Sequence, residues 1–492
     1  MMKTLKLYFT SDIHGYSFPT DYISRGALAL GLFQCAAAYE KDGNTLVIDG
    51  GDYLQGSALN QYCWRVLGGF DMLADMLNAC GYDYVTLGNH DFNFGQAALW
   101  GYLDRLDATC LCENVQDDKG QVRFPHMIHV LENGLRVGLV GIVTEFVNVW
   151  EKPGHLRGLQ IASPLEAARA ALGQLEGQVD LTIGIYHGGF ERDLETGALL
   201  SDSGENVACQ ICEELDFDVL LTGHQHMGLA GRDYCGTYII QPPEQGRGYA
   251  FLEITQHADG IAVHSEIRTP QEPSKPHPAL AQFAETEARM QAWLDEPVGE
   301  LPEPLTVGDR VEMALHGAPL ADFFNMIQLR YSGAQISAAS LANDARGLPQ
   351  SIRRRDLFAA YPYANTFVVL EISGAALKAA VERSAEYLEY DEAGNLRVST
   401  RFLKPKVEHY NHDFYAGITT EINYRNPVGD RVQSMRYDGE EITADAVFTI
   451  CVNDYRASGA GGYPMYPSCP VRGELRTEMT DMLLEYFDGG VG

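Results

Sequence analysis

Positive charge is the scarcest thing in this chain. Its 492 residues hold 36 Lys and Arg against 67 Asp and Glu, a formal net charge of -31. A surface this acidic repels a phosphate backbone and releases no counterions from it, which argues against nucleic-acid polymers and anionic membranes as partners. Long apolar runs are missing too, and none approaches the length that spans a bilayer. The first residues, Met1-Met2-Lys3-Thr4, lead straight into a strand-like stretch without an apolar h-region or a small-residue cleavage site. The expectation is therefore a cytoplasmic protein without a signal peptide. Cysteine is sparse and scattered. The ten thiols include only two close pairs, Cys110/Cys112 and Cys209/Cys212, and the one CxxC lies in a helical pattern without a second. That argues against a zinc or redox centre and for reduced thiols. Neither a Walker pattern nor a GxGxxG occurs, and no internal repeat is visible.

What is present reads as an ordinary globular protein, 46% hydrophobic and 21% charged. The chain is too long for one small core, so two domains are expected. Strand-like runs at 5–10, 45–48, 84–87, 136–143, 181–186 and 219–222 alternate with helical spacing at 24–40, 66–80, 96–106, 164–175 and 205–215. This alternation predicts an α/β (α+β) fold. Residues 268–278 turn polar and Pro-rich, and helical spacing resumes over 278–294. The expected organisation is a first domain over 1–268, a linker and connecting helix over 269–300, and a smaller α/β domain over 301–492.

Polar residues of the ligand type stand where the strands of the first domain end. Asp12 and His14 follow the first, Asp52 the second, Asn89 and His90 the third, and His187, His224 and His226 the last two. An α/β sheet builds its site outside the carboxyl ends of its strands, so these residues are expected to converge. Asp49 would face the other way and is read as structural. The seven residues Asp12, His14, Asp52, Asn89, His187, His224 and His226 suffice for two divalent ions. Asp52 is the one carboxylate placed to bridge ions about 3.5–4 Å apart. Mixed nitrogen and oxygen donors suit Mn, Zn, Fe or Co over Mg or Ca. Each fragment alone has a plainer reading: an Asn-His-Asp loop, for example, can simply serve a turn. The remaining histidines, including His126, His129 and His155, have no such placement and are read as surface or satisfied polar groups.

In this order, Asp-x-His at 12–14, Gly-Asp-x-x-Gln-Gly at 51–56, Gly-Asn-His-Asp-Phe at 88–92, His187 after a strand, and Gly-His-x-His at 223–226 resemble the calcineurin-like metallophosphoesterases. The C-terminal part adds Tyr361-Pro362-Tyr363-Ala364-Asn365-Thr366 and Asn453-Asp454-Tyr455-Arg456-Ala457-Ser458-Gly459. With these, nearly the whole chain resembles the 5'-nucleotidase/2',3'-cyclic-nucleotide phosphodiesterase family. The resemblance implies a four-layer β-sandwich with flanking helices and a substrate-binding C-terminal domain. It implies a hydrolase that frees phosphate from small nucleotides by attack of a metal-bridging hydroxide. Asp12, His14 and His226 would hold one ion and Asn89, His187 and His224 the other, with Asp52 between. His90 would protonate the leaving oxygen. Tyr363 and Tyr455 would clamp a nucleobase, Asn365 would bond its edge, and Arg456 lies beside the stacking ring, either on substrate or paired with an acid.

The chain departs from the family pattern at several points. Many 5'-nucleotidases carry an acid three residues after the catalytic His, where this chain has Asn93; Asp91 is the adjacent alternative, or no carboxylate orients the ring. The Gly-His-x-Gln of sugar-nucleotide hydrolysing members is Gly-His-Gln-His here, and Gly459-Ala460-Gly461-Gly462 lacks their acid. These choices resemble the cyclic-nucleotide branch, which is usually exported. Two further readings stay open: a nucleotide-sugar or dinucleotide pyrophosphatase, and a non-catalytic nucleotide-binding homologue.

Overall fold

A computed structural model describes residues 3–489 apart from 24–25, 201–202, 258–259, 271–275, 364, 405 and 476. The chain forms two compact units, Met1–Gln291 and Ala292–Gly492.

The first unit is built on two six-stranded sheets. In one, Lys3–Thr10 lies between the antiparallel Tyr249–His257 and the parallel Thr45–Asp49, followed by Tyr84–Val85 and Thr109–Cys110, with Gly260–Arg268 at the far edge. In the other, Leu181–His187 runs parallel to both Arg136–Val143 and Val219–Thr222. Strand alternation decides what faces what. Leu5, Leu7 and Phe9 of the first sheet and Leu181, Ile183 and Ile185 of the second share one buried core, so the sheets pack face to face. Tyr8 points to the opposite face, where its ring stacks on Tyr39 at 4.6 Å. The outer face of the second sheet, with Val140, Ile142 and Tyr186, is covered by the helices Pro164–Leu175 and Ala208–Glu214. All ten cysteines are free thiols, Cys209 and Cys212 among the buried ones. Among the described residues no helix is long and apolar enough to cross a membrane.

Several expected helices are shorter than their spacing suggests. Of 24–40 only Leu32–Ala36 is helical, entered through Gly31 at φ +99; residues 24 and 25 lie outside the described residues. The run expected at 66–80 is split: a π-helical turn, Cys63–Leu67, ends at Gly68-Gly69, and the α-helix starts at Asp71. Over 205–215 the helix is Ala208–Glu214. Over 278–294 a 3-10 stretch, Pro278–Phe283, precedes the helix Ala284–Leu294.

The second unit has a five-stranded sheet ordered Asp413–Ala416, Ile336–Ser340, Val447–Asn453, Phe367–Ser373, Val471–Leu475. Cys451 faces the helices Pro319–Ser332 and Met479–Phe487, while Ile450 and Val452 face the helix Gly374–Ala385. Pro297–Glu300, expected within the linker, is a strand paired with Ser351–Arg353. The basic run 353–355 is occupied by acids: Arg353 and Arg355 reach Asp295 at 3.2 and 2.8 Å, and Arg354 reaches Glu296 at 2.9 Å.

Candidate metal centre

Five strand ends of the first unit meet at one edge of the two sheets. The approach is tight: Gly51 turns at φ +91, and a Cβ on Gly51 or Gly88 would strike the other loop, so these glycines let Asp52 and Asn89 come together. The residues that follow the strands are held in an unusual backbone. Asp12, His14, Asp52, His224 and His226 all have φ between 50 and 71, the left-handed region that costs a non-glycine residue about 1–2 kcal/mol. They make up five of the nine non-glycine residues with positive φ among the described residues. Strain concentrated in this way marks a functional site.

Two groups result. Asp12, His14 and His226 bring one donor atom each within 4.8 Å of one another, and so do Asp52, His187 and His224. His14 Nε2 and His226 Nε2 face each other at 3.1 Å, and Asp12 Oδ1 lies 3.2 Å from the latter. His187 Nε2 is 3.1 Å from Asp52 Oδ2 and 3.9 Å from Asp12 Oδ1, which links the groups. Asn89 Oδ1 joins the second through His224 Nδ1 at 2.9 Å.

The outward atoms of the rings are fixed. His14 Nδ1 bonds the Gln55 carbonyl at 2.7 Å and His187 Nδ1 the Gly50 carbonyl at 2.6 Å, which turns both Nε2 atoms inward. His224 Nε2 meets Glu205 Oε1 at 2.8 Å. Glu205 carried no sequence signal, because a residue that supports a ligand needs no fixed spacing from it. Trp150 stacks on the His224 ring at 5.6 Å.

The electrostatics favour positive charge here. Burial works against ionised Asp12 and Asp52, yet the nearby His187 imidazole, with His226 beside Asp12, holds both carboxyls well below the usual range. Burial would lower His187, but Asp52 and Asp12 raise it. Burial brings His14 down to about 4, which leaves it the neutral form a cation binds. The donor set of carboxylates, imidazoles and an amide oxygen therefore fits divalent cations. Two imidazole nitrogens aimed at each other across 3.1 Å fit them as well, since a shared cation satisfies both lone pairs.

The residues around the groups are placed differently from one another. His90 lies beside the first group, its ring 5.6 Å from that of His14, and its backbone N–H donates to Asp52 Oδ1 at 2.7 Å. Asp91, the adjacent alternative for orienting His90, has backbone partners. Its carboxylate accepts the backbone N–H groups of Asp52, Tyr53, Leu54 and Gly88 at 2.8–2.9 Å, so it fixes the Asp52 turn. The partner of His90 Nδ1 is Asn93 Oδ1, at 2.8 Å. Asp49, read as structural, accepts from Thr10 and Gly51, and burial pushes its carboxyl up to about 7.

In the second unit, the half-buried Tyr363 and Tyr455 both flank Tyr410, with ring centroids 6.3 and 6.4 Å from it. The Asn365 side chain lies beside the Tyr361 hydroxyl. Of the two readings of Arg456, pairing with an acid is the one seen, and the residue is 1% exposed. Its guanidinium grips Asp413 at 2.8 Å and also donates to Asn411, the Tyr410 carbonyl and the Ala460 carbonyl. It braces the segment from Tyr410 to Asp413.

Comparison with known proteins gives a consistent picture. A family profile for calcineurin-like phosphoesterases matches residues 5–228, and one for the 5'-nucleotidase C-terminal domain matches 297–468. A Staphylococcus aureus structure described as a candidate 5'-nucleotidase superposes with a TM-score of 0.93 at 32% identity, covering 99% of this chain and 97% of that one. The trifunctional nucleotide phosphoesterase YfkN of Bacillus subtilis is 23% identical over 98% of this chain, which spans only 38% of its length. A 2',3'-cyclic-nucleotide 2'-phosphodiesterase/3'-nucleotidase of Haemophilus influenzae is 22% identical, covering 92% of this chain and 80% of its own.

Proposed function

Because the chain belongs to the family of hydrolases that join a calcineurin-like phosphoesterase domain to a 5'-nucleotidase C-terminal domain, we propose that it hydrolyses phosphate esters of small nucleotides, 5'-monophosphates or 2',3'-cyclic forms, with two divalent cations. The observation that carries this reading is the pair of linked Asp/His groups at the shared sheet edge. Asp12, His14 and His226 would hold one ion, and Asn89, His187 and His224 the other, with Asp52 between them. Mn, Zn, Fe or Co suit these donors. When bound, such a pair lowers the pKa of a water and neutralises charge on the phosphoryl group.

The chain's own residues do the rest. His90 delivers a proton from Nε2 to the leaving oxygen, a role worth about 10²–10⁴-fold. Tyr363 and Tyr455 stack the base, which accepts any base face at about 1–3 kcal/mol per ring, and Asn365 reads its edge. The ten free thiols support a reducing compartment, the cytoplasm.

Phosphate release over a panel of nucleoside monophosphates, cyclic nucleotides, nucleotide sugars and dinucleotides, with Mn added, tests the reading. Turnover of the first two classes is expected. No release from any ester by protein shown to carry two ions would overturn it, and preference for sugar nucleotides or dinucleotides would make it a pyrophosphatase. Tyr363→Ala or Tyr455→Ala should raise KM for nucleotides and leave bis-p-nitrophenyl phosphate almost unchanged.

A further inference from the structure

The acid that the sequence lacks three residues after His90 is supplied from elsewhere in the fold. Asn93 Oδ1 faces His90 Nδ1 at 2.8 Å because the other end of the amide is committed: Asn93 Nδ2 donates to Glu151 Oε2 at 2.8 Å. With the amide oriented this way, its oxygen can only accept, so Nδ1 of His90 carries a proton. Glu151 is itself held. It follows the short helix Val147–Trp150, its side chain is 5% exposed, and Oε1 accepts the Lys152 N–H at 2.7 Å and meets His155 Nδ1 at 2.8 Å. The His155 ring sits over Gly95, which turns at φ +78 two residues after Asn93. Four side chains, His90, Asn93, Glu151 and His155, thus form one hydrogen-bonded row leading away from the centre.

We propose that Glu151 is the positioning carboxylate for His90, acting through Asn93. The inference rests on the reading of His90 as the proton donor. A carboxylate in direct contact with the ring would fix its proton on Nδ1; here an amide does so, and Glu151 keeps that amide from turning over. A hydrogen bond to an ionised acceptor also polarises the amide, which makes Oδ1 the stronger acceptor. The step itself is simple to balance. As the P–O bond breaks, the leaving oxygen takes the proton from Nε2 and the imidazole is left neutral with its proton on Nδ1. Water adds its oxygen to phosphorus, and a proton from it restores Nε2–H for the next turnover.

The carboxylate and the amide can be exchanged between the two positions, which gives a test that loss of folding does not mimic. Glu151→Gln frees the Asn93 amide to rotate. It should lower kcat for AMP by about 10- to 100-fold, the range for residues that orient a functional group. Metal content and KM should hold, and kcat for p-nitrophenyl phosphate, whose leaving group needs no proton, should barely change. Asn93→Asp alone sets two carboxylates against each other and should also be impaired. The double variant N93D/E151Q puts the carboxylate on the ring and the amide behind it, and should recover most of the AMP rate. A Glu151→Gln protein with native AMP turnover, or a folded, metal-replete double variant without recovery, would overturn the proposal. His90→Ala, measured alongside, separates the two readings. If it loses rate equally on both esters, the proton-donor role fails and Glu151 with it. If it loses rate on AMP alone while Glu151→Gln does not, only the Glu151 assignment fails.

Discussion

Asp52 belongs to the second group and also holds the His90 loop. One oxygen accepts the His90 backbone N–H and the other lies 3.1 Å from His187 Nε2. Asp52→Asn keeps the shape but removes the charge that two cations would share. Loss or weakening of both ions is expected, with turnover falling by several orders of magnitude, the scale of losing a main electrostatic contribution. Metal analysis alongside rates decides it; two ions at full occupancy with near-native turnover would remove the bridging role. At this scale the sequence speaks where chemistry needs a residue type at a strand end, as with Asp12 or His187. It is silent where a residue acts through another. Glu205 and Glu151 are 19 and 58 positions from the side chains they touch, His224 and Asn93, and only the fold brings them there.

Elements show a similar division. The strands were legible because Leu5, Leu7 and Phe9, or Leu181, Ile183 and Ile185, alternate into one core. Helical spacing was less reliable. Residues 66–80 keep an apolar rhythm across Gly68-Gly69, but both glycines sit at the break. Arg456 shows the same limit in the second unit, since its partner Asp413 lies 43 residues back at the start of a strand. Next to that strand, His412 is buried against Tyr387, stacked at 4.5 Å, with Nδ1 on the Ser384 carbonyl at 3.2 Å. Burial first, and then the Arg383, Arg456 and Arg310 charges, bring it down to about 4, below its ordinary value of 6.5. The unfolded chain therefore takes up the proton first. Stability is complete above about pH 6.5 and declines as pH falls towards about 4, by on the order of 3 kcal/mol from this group. Denaturant midpoints of the whole protein at pH 7 and 4.5 should differ less in His412→Phe than in the native chain. An unchanged difference would mean that His412 does not carry the acid sensitivity.

Across the whole molecule, the net charge of -31 leaves little reason for an anion to approach except a local concentration of cations. The metal centre is also where distant parts of the chain are joined. Asp12, His14, Asp52 and Asn89 follow strands of one sheet, and His187, His224 and His226 follow strands of the other. Ligands that bind only the folded form stabilise it by mass action, about 2.7 kcal/mol per site at a hundredfold excess over Kd. Chelation should accordingly lower the melting temperature, by on the order of 10 °C for two such sites in a unit of this size. Calorimetry before and after EDTA measures the change, and a melting temperature indifferent to chelator would argue against resident ions.

Each ion would draw its donors from both sheets, so the pair would work as a hasp across one rim of the sandwich. The opposite rim, where Leu131 and Leu135 close the core, is tied without any ion, since Asn133 Nδ2 donates to the Thr4 carbonyl at 2.8 Å and Lys3 Nζ to the Gly134 carbonyl at 2.6 Å. Stripped of cations, the first unit should therefore loosen like a book from its fore-edge. Amides at 10–14 and 222–226 should exchange with solvent well before those near Leu135.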